Sequence, residues 1–396
     1  MSGQREERVI VKKRAVRRDE HYFATTGKGL EEVLAGELQR LGIGGVTVER
    51  GGVRFGGGVS ACYRANLWLR TANRVLQSLA EFACASPQEL YDGVRTIHWP
   101  SFITPDMTLA VDCTLRDSAM THSGFVVLKT KDAIVDQLRE HFGRRPNVDT
   151  ADPDLRVNVH LAKDRCSVSL DTSGTPLDRR GYRLARTEAP LRENLAAAIV
   201  LLSGWDGTTP FVDPMCGSGT IPIEAAMIAA RRAPGLKRPF AFQRWPGFAA
   251  SLWQRLVAEA EAEALTTLPV PVWGFDRDAA AVRTARENSR RAGVDGIVVF
   301  AAGELDNLSP PPQPGTIICN PPYGARLGEL ETLVAFYRRI GDVFKQRCAG
   351  YTAWLLVGDQ ALSKEVGLRA TRRIPLFNGP IECRLLKYEL YRGGKG

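Results

Sequence analysis

The sequence predicts an α/β protein in which small mixed α/β modules precede a doubly wound parallel sheet. From Pro190 onward the chain repeats strand, turn and helix several times, as a parallel sheet with helical crossovers does. Before residue 172 shorter strand-like and helix-like stretches alternate more compactly. Apolar runs such as Leu195 to Leu202 and Tyr351 to Val357 fall far short of the roughly 20 residues that span a bilayer. No charged start leads directly into a signal-peptide core, so a cytoplasmic protein without membrane attachment is expected.

We divide the chain into five segments, a basic arm over 1–21, a small piece over 22–60, an α/β unit over 61–172, a connector over 173–192 and the sheet domain over 193–396. The pattern itself reads as one compact alternation of strands and helices before residue 80 and a second small α/β unit from Leu79 to about Leu170. The arm carries Lys12, Lys13, Arg14, Arg17 and Arg18 with little apolar pattern, and reads as a solvated tail or a phosphate contact. Next come a strand at Tyr22 to Thr25 and a helix from Leu30 to Leu41 with an apolar face. Strands near Val46 to Val48 and Val53 to Phe55 and a helix at Ala61 to Leu69 follow. The second unit offers strands at Thr108 to Leu115, Arg156 to Leu161 and Ser167 to Asp171, with a helix at Thr130 to Phe142. Arg179, Arg180, Arg183, Arg186 and Arg192 crowd the connector. In the last segment the expected strands are Pro210 to Asp213, Val272 to Asp276, Ile297 to Ala301, Thr316 to Cys319 and Ala353 to Val357. Leu385 to Tyr391 closes the sheet, with an antiparallel direction open. The aromatic stretch beginning at Arg238 is expected to pack rather than to stack bases.

With 396 residues, 44% of them hydrophobic, the chain has material for two or three domains. A net charge of +9 favours an anionic partner, because clustered Lys and Arg displace counterions from a phosphate backbone. The eight cysteines, at 62, 84, 113, 166, 216, 319, 348 and 383, stand singly with no CxxC pair. That argues against a disulfide framework, a metal site or an iron–sulfur cluster, and for mostly buried reduced thiols.

Three features carry chemistry. The run Asp213-Pro214-Met215-Cys216-Gly217-Ser218-Gly219-Thr220 lies between a strand and a helix. Gly217 and Gly219 permit a sharp turn and close approach of backbone to a ligand, and the helix start offers unpaired N–H groups. An ordinary tight turn also fits this run alone. The strand Val272 to Phe275 then ends in Asp276, where doubly wound nucleotide sites place an acid on ribose hydroxyls. After the following strand comes Glu304, a candidate acceptor for an adenine amino group or a solvated loop acid.

The third feature is Asn320-Pro321-Pro322-Tyr323, expected at the same sheet edge. An exocyclic amine on a base is a poor nucleophile because its lone pair is delocalised into the ring. The Asn320 side-chain oxygen and the Pro321 carbonyl suit its two N–H groups and aim the lone pair at a sulfonium methyl. Pro321 and Pro322 stiffen the turn, and Tyr323 offers a face for the extruded base. No strong base is needed, since the proton leaves once the nitrogen is cationic. In isolation this tetrapeptide is also a proline turn capping a strand; its place after the glycine loop and two acids favours the chemical reading.

The order DPMCGSGT, GFDRD, GELDNL and NPPYG resembles class I S-adenosylmethionine methyltransferases acting on exocyclic amines. The phrases FATTGKGLEEVL, LKTKDAIVDQL, RPNVDTADPDLRVNV and LDRRGYR resemble a THUMP RNA-binding module. With APLRENLAAAIVLLSGW and NGPIEC, the whole resembles bacterial large-subunit rRNA guanine-N2 methyltransferases of the RlmL type from about Tyr22 to near the C-terminus. The resemblance implies a Rossmann-like methyltransferase domain, a THUMP domain preceded by a ferredoxin-like piece, and S-adenosyl-L-methionine as cofactor. It also implies RNA as partner, namely 23S rRNA or a large-subunit assembly intermediate. It assigns cofactor contacts to Asp213, Gly217, Gly219 and Asp276, and target-amine contacts to Asn320, Pro321 and Tyr323. Glu304 stands where this family usually has Asp. Some relatives carry a second methyltransferase beyond this point, so a single mark is expected. RNA affinity is expected to reside in the N-terminal half and the connector arginines. Competing readings are a THUMP-type tRNA guanine-N2 methyltransferase, a DNA adenine-N6 methyltransferase and a non-catalytic RNA-binding assembly factor.

Overall fold

A computed structural model describes residues 20–183, 191–323 and 330–391. Nearly all of the expected basic arm, including Lys12, Lys13, Arg14, Arg17 and Arg18, lies outside the described residues, as do Arg186 and Gly324. Among the described residues no helix is long and apolar enough to cross a membrane.

The first sheet has eight strands. In chain order the elements are β1 (His21–Thr26), α1 (Glu31–Arg40), β2 (Thr47–Glu49), β3 (Gly52–Gly56), α2 (Val59–Trp68) and β4 (Ala72–Ala83). These are followed by α3 (Pro87–Arg95), β5 (Thr108–Arg116), α4 (Ser123–Phe142), β6 (Asn147–Val148), β7 (Leu155–Ala162) and β8 (Arg165–Asp171). The spatial order is β2-β3-β1-β4-β8-β7-β5-β6. The long strand β4 pairs antiparallel with β1 and with β8, and its register with β8 shifts between Ser78 and Ala80. One continuous sheet thus joins what the sequence offers as two units. Helix α3 has a complete capping box, in which the Ser86 hydroxyl accepts from the Glu89 N–H and the Glu89 carboxylate accepts from the Ser86 N–H.

The second sheet comprises α5 (Glu193–Ser203), β9 (Phe211–Asp213), α6 (Thr220–Ala229), α7 (Ala250–Glu263), β10 (Val272–Asp276), α8 (Ala279–Ala292) and β11 (Val298–Ala302). It continues with β12 (Thr316–Cys319), α9 (Leu330–Arg347), β13 (Thr352–Val357), α10 (Gln360–Glu365), β14 (Arg372–Asn378) and β15 (Ile381–Glu389). The order is β11-β10-β9-β12-β13-β15-β14; β9 to β13 run parallel, and β15 enters antiparallel beside β13. Residues of α5, α6 and α8 form a core on one face, and residues of α9 and α10 form one on the other. The chain direction across the sheet reverses at β9, so the carboxyl ends of β9, β10 and β12 flank one crevice.

The two halves share a core. The Tyr63 ring stacks on Phe242 at 4.3 Å and meets Trp253 edge-on at 5.8 Å, so the aromatic stretch does pack, as expected. The Trp245 indole N–H donates to the Asp154 carbonyl at 2.9 Å, and Arg244 pairs with Asp152 and Asp154. Beside this core, the Arg70 guanidinium donates to the Met227 and Arg232 carbonyls at 3.1 and 2.8 Å. Arg180 pairs with Glu224 of α6 at 3.5 Å, and the Tyr182 hydroxyl donates to the same carboxylate at 3.1 Å.

This corrects the expectation that the connector arginines as a group serve RNA. Arg180 is 3% exposed. Arg183 pairs with Glu193 and donates to the Leu191 carbonyl and the Thr220 hydroxyl. Both guanidiniums are committed to protein partners, whereas Arg179 and Arg192 face solvent.

Candidate functional site

The loop after β9 is shaped from beneath by Asp213. Its carboxyl group is 1% exposed and accepts from the Met215 N–H at 3.1 Å, drawing the chain into a turn. Burial pushes its pKa well above the usual carboxylate range, the Met215 N–H opposes that, and the nearby charge of Asp276 adds to it. The loop is then bound to the neighbouring strand, where the Cys216 N–H donates to the Phe275 carbonyl at 2.8 Å.

Both glycines of the loop have positive φ, for different uses. At Gly219 φ is +84°, and a Cβ would stand 2.8 Å from the Phe300 ring and 2.9 Å from the Ala285 methyl, so this glycine allows the loop to close on β11 and α8. At Gly217 φ is +52°, and a Cβ would meet no described atom within 4 Å; this glycine exposes backbone to the crevice.

Asp276 faces the same place. One carboxylate oxygen accepts from the Gly217 N–H at 2.8 Å and the other from the Asp278 N–H at 2.9 Å. Each oxygen keeps a second lone pair, so ribose hydroxyls remain possible donors to it. The backbone of Gly303 donates to the Asp276 carbonyl at 3.0 Å, which brings the turn holding Glu304 to this edge. The Glu304 carboxylate itself is half exposed and lies 3.5 Å from Arg339 of α9, which also donates to Asp306 at 2.6 Å.

Asn320 follows β12, which pairs with β9 in parallel and so delivers it to the edge holding the glycine loop. Its side-chain oxygen is buried and accepts no hydrogen bond from any described residue. A buried orphan acceptor costs free energy unless a donor satisfies it, and an N–H or O–H of a ligand would do so. The Tyr337 hydroxyl donates to the Pro322 carbonyl at 3.3 Å and steadies the turn. Tyr323 is half-buried, its phenol pushed up to about 12, chiefly by burial, and its oxygen accepts from the Asn378 amide at 2.9 Å. Asn378 and Gly358, which flank this ring, are not among the sequence candidates, although the phrase NGPIEC begins at Asn378.

The model of the RMKL-like methyltransferase domain matches residues 180–387, that of the THUMP domain residues 84–171, and that of the RlmL ferredoxin-like domain residues 21–76. This chain belongs to the RMKL-like methyltransferase family. It is 43% identical to a putative RNA methyltransferase of Synechocystis, over 93% of this chain and 97% of that one. It is 44% identical, over 93% of its own length, to a ribosomal RNA large subunit methyltransferase K/L of Syntrophotalea carbinolica. This chain spans about half the length of such K/L relatives, 53% in that case. A solved putative methyltransferase complexed with SAH superposes with a TM-score of 0.87 at 34% identity, covering 96% of this chain and all of that one.

Proposed function

We propose that this chain transfers a methyl group from S-adenosyl-L-methionine to the exocyclic N2 amine of a guanine in 23S rRNA, acting on the RNA or on a large-subunit assembly intermediate. The observation that carries the reading is the buried Asn320 oxygen, which has no partner among the described residues, at the edge that also holds the glycine loop and Asp276. The THUMP match, the names of the relatives and the net charge of +9 support RNA as the partner.

When bound, S-adenosylmethionine supplies an electrophilic sulfonium methyl and leaves as S-adenosylhomocysteine. Gly217 would bring backbone close to it while Gly219 lets the loop close on β11 and α8, Asp276 would take the ribose, and Asp213 holds the loop in shape. Glu304 contributes at the adenine end, with Arg339 steering its carboxylate. Asn320 and the Pro321 carbonyl accept the two amine N–H groups and turn the nitrogen lone pair outward. The nitrogen–carbon bond forms as the sulfur–carbon bond breaks, and the cationic nitrogen then releases a proton to water. Pro322 fixes the turn, and Tyr323 stacks on the base.

The test is methyl transfer from labelled cofactor by the purified chain to 23S rRNA, tRNA and duplex DNA, with the product nucleoside identified by mass spectrometry. N2-methylguanosine in 23S rRNA is expected. A mark confined to tRNA, or N6-methyladenine in DNA, would refute the substrate assignment, and no transfer to any of the three or to a large-subunit assembly intermediate would refute the activity.

A further inference from the structure

The tyrosine of the active-site turn is held from outside that turn. Its phenol oxygen accepts from the Asn378 amide, 55 residues away in sequence, at 2.9 Å. The ring rests against backbone at Gly358, just after β13, where an added Cβ would fall 2.3 Å from Cδ2 and 2.9 Å from Cγ. Only a residue without a side chain lets the ring lie there.

Asn378 is itself well anchored. It ends β14 and faces Ile381 across the two-residue turn Gly379-Pro380, with Gly379 at φ +62° supplying the conformation such hairpins require. The neighbouring Phe377 ring lies under the Lys28 ammonium at 4.6 Å, so the N-terminal half braces this strand. An asparagine that merely closed a turn would bond its own local backbone. Here its amide is spent on a side chain of the candidate active site.

We infer that Asn378 is a positioning residue, which fixes the Tyr323 ring as a preformed wall for the target base and so sets the angle at which the amine meets the methyl group. This rests on the reading of Tyr323 as the base-stacking residue. Holding a reactant in a near-attack geometry affects the reacting complex more than the affinity of either ligand, so the contribution falls on turnover.

The experiment uses the full chain and a 23S rRNA transcript, with kcat and both KM values measured for Asn378→Ala, Asn378→Asp, Tyr323→Phe, Tyr323→Ala and the Tyr323→Phe/Asn378→Ala pair. Titration with S-adenosylhomocysteine and a melting curve verify each fold. Asn378→Ala is expected to lower kcat about tenfold to a hundredfold with KM for the cofactor unchanged. Tyr323→Phe should lose a similar factor, and the double variant no more than either single one, because both remove the same bond. Asn378→Asp, whose carboxylate accepts from the phenol in the same place, should recover most of the loss. Losses that multiply in the double variant would overturn the positioning role while leaving the stacking role of Tyr323 standing. Full activity in Tyr323→Ala would overturn the stacking reading and the inference with it.

Discussion

The backbone N–H of Gly217 donates to the Asp276 carboxylate at 2.8 Å, so the end of β10 and the loop after β9 hold one another. Asp276→Ala removes both that acceptor and the proposed ribose ligand. Cofactor affinity should fall about 10-fold to 100-fold, as for loss of a charged hydrogen-bond partner. Most of the turnover should return at saturating cofactor. Calorimetric titration beside a cofactor-dependence curve checks this; unchanged affinity would remove Asp276 from the binding site.

Asn320→Ala makes the opposite split. Its buried oxygen has no described partner and is aligned, in the proposed mechanism, with a nitrogen that gains positive charge. By analogy with loss of one preorganised polar group, kcat should drop roughly 10²-fold to 10³-fold. S-adenosylhomocysteine should bind as before. An Asn320→Ala enzyme with normal turnover and lost cofactor binding would reverse the assignment.

Asp213 links the loop to pH. Its folded pKa is raised, so between the unfolded carboxylate value and that raised value the folded state holds a proton that the unfolded state has released. Stability from this group is therefore fully present below the unfolded pKa and is lost as pH rises through the folded one. Asp213→Asn, which keeps an acceptor for the Met215 N–H, should melt higher than the parent at pH 8, with the advantage shrinking toward pH 4. Melting curves across that range decide it; an advantage independent of pH would point to packing instead.

The connector arginines should divide by burial. Arg180→Gln leaves Glu224 buried without its cationic partner and should cost roughly 3–5 kcal/mol of stability. It should not change the salt dependence of RNA binding. Arg179→Gln and Arg192→Gln, both exposed, should leave stability nearly untouched. If each meets a duplex phosphate, its loss lowers the slope of log affinity against log salt by about 0.9. Denaturant melts and RNA titrations at several salt concentrations separate the two classes.

Much of this was legible in the sequence because the informative residues are punctuation. Pro214, Gly217 and Gly219 after β9, Asp276 at the end of β10 and Asn320-Pro321 after β12 mark where parallel strands stop, and parallel topology then puts those ends at one edge. Strands β4 and β14 were not anticipated. The middle of β14 holds Pro375, which demotes a strand on reading and is tolerated here because β14 is at the sheet edge. The exposure of β4 does not alternate cleanly, and its register with β8 shifts midway. Helix α4 begins at Ser123 rather than Thr130, because its first turns carry exposed Phe125 and Leu128 and so hide the apolar stripe. The burial of Arg180 depends on Glu224, a lone acid inside the apolar helix α6, and such long-range pairing has no local signature.

The shared core around Tyr63, Phe242 and Trp253 bears on whether such a protein can be divided. A cut between the halves would leave those rings in water and strip Arg70 of the carbonyls at Met227 and Arg232. Grafting the catalytic half onto a foreign RNA-binding partner would require a new lining for α6 and for the aromatic stretch at once. A chain cut there would lose the burial of three aromatic rings and both carbonyl acceptors of Arg70 in one step, so the two halves are expected to melt as one cooperative unit.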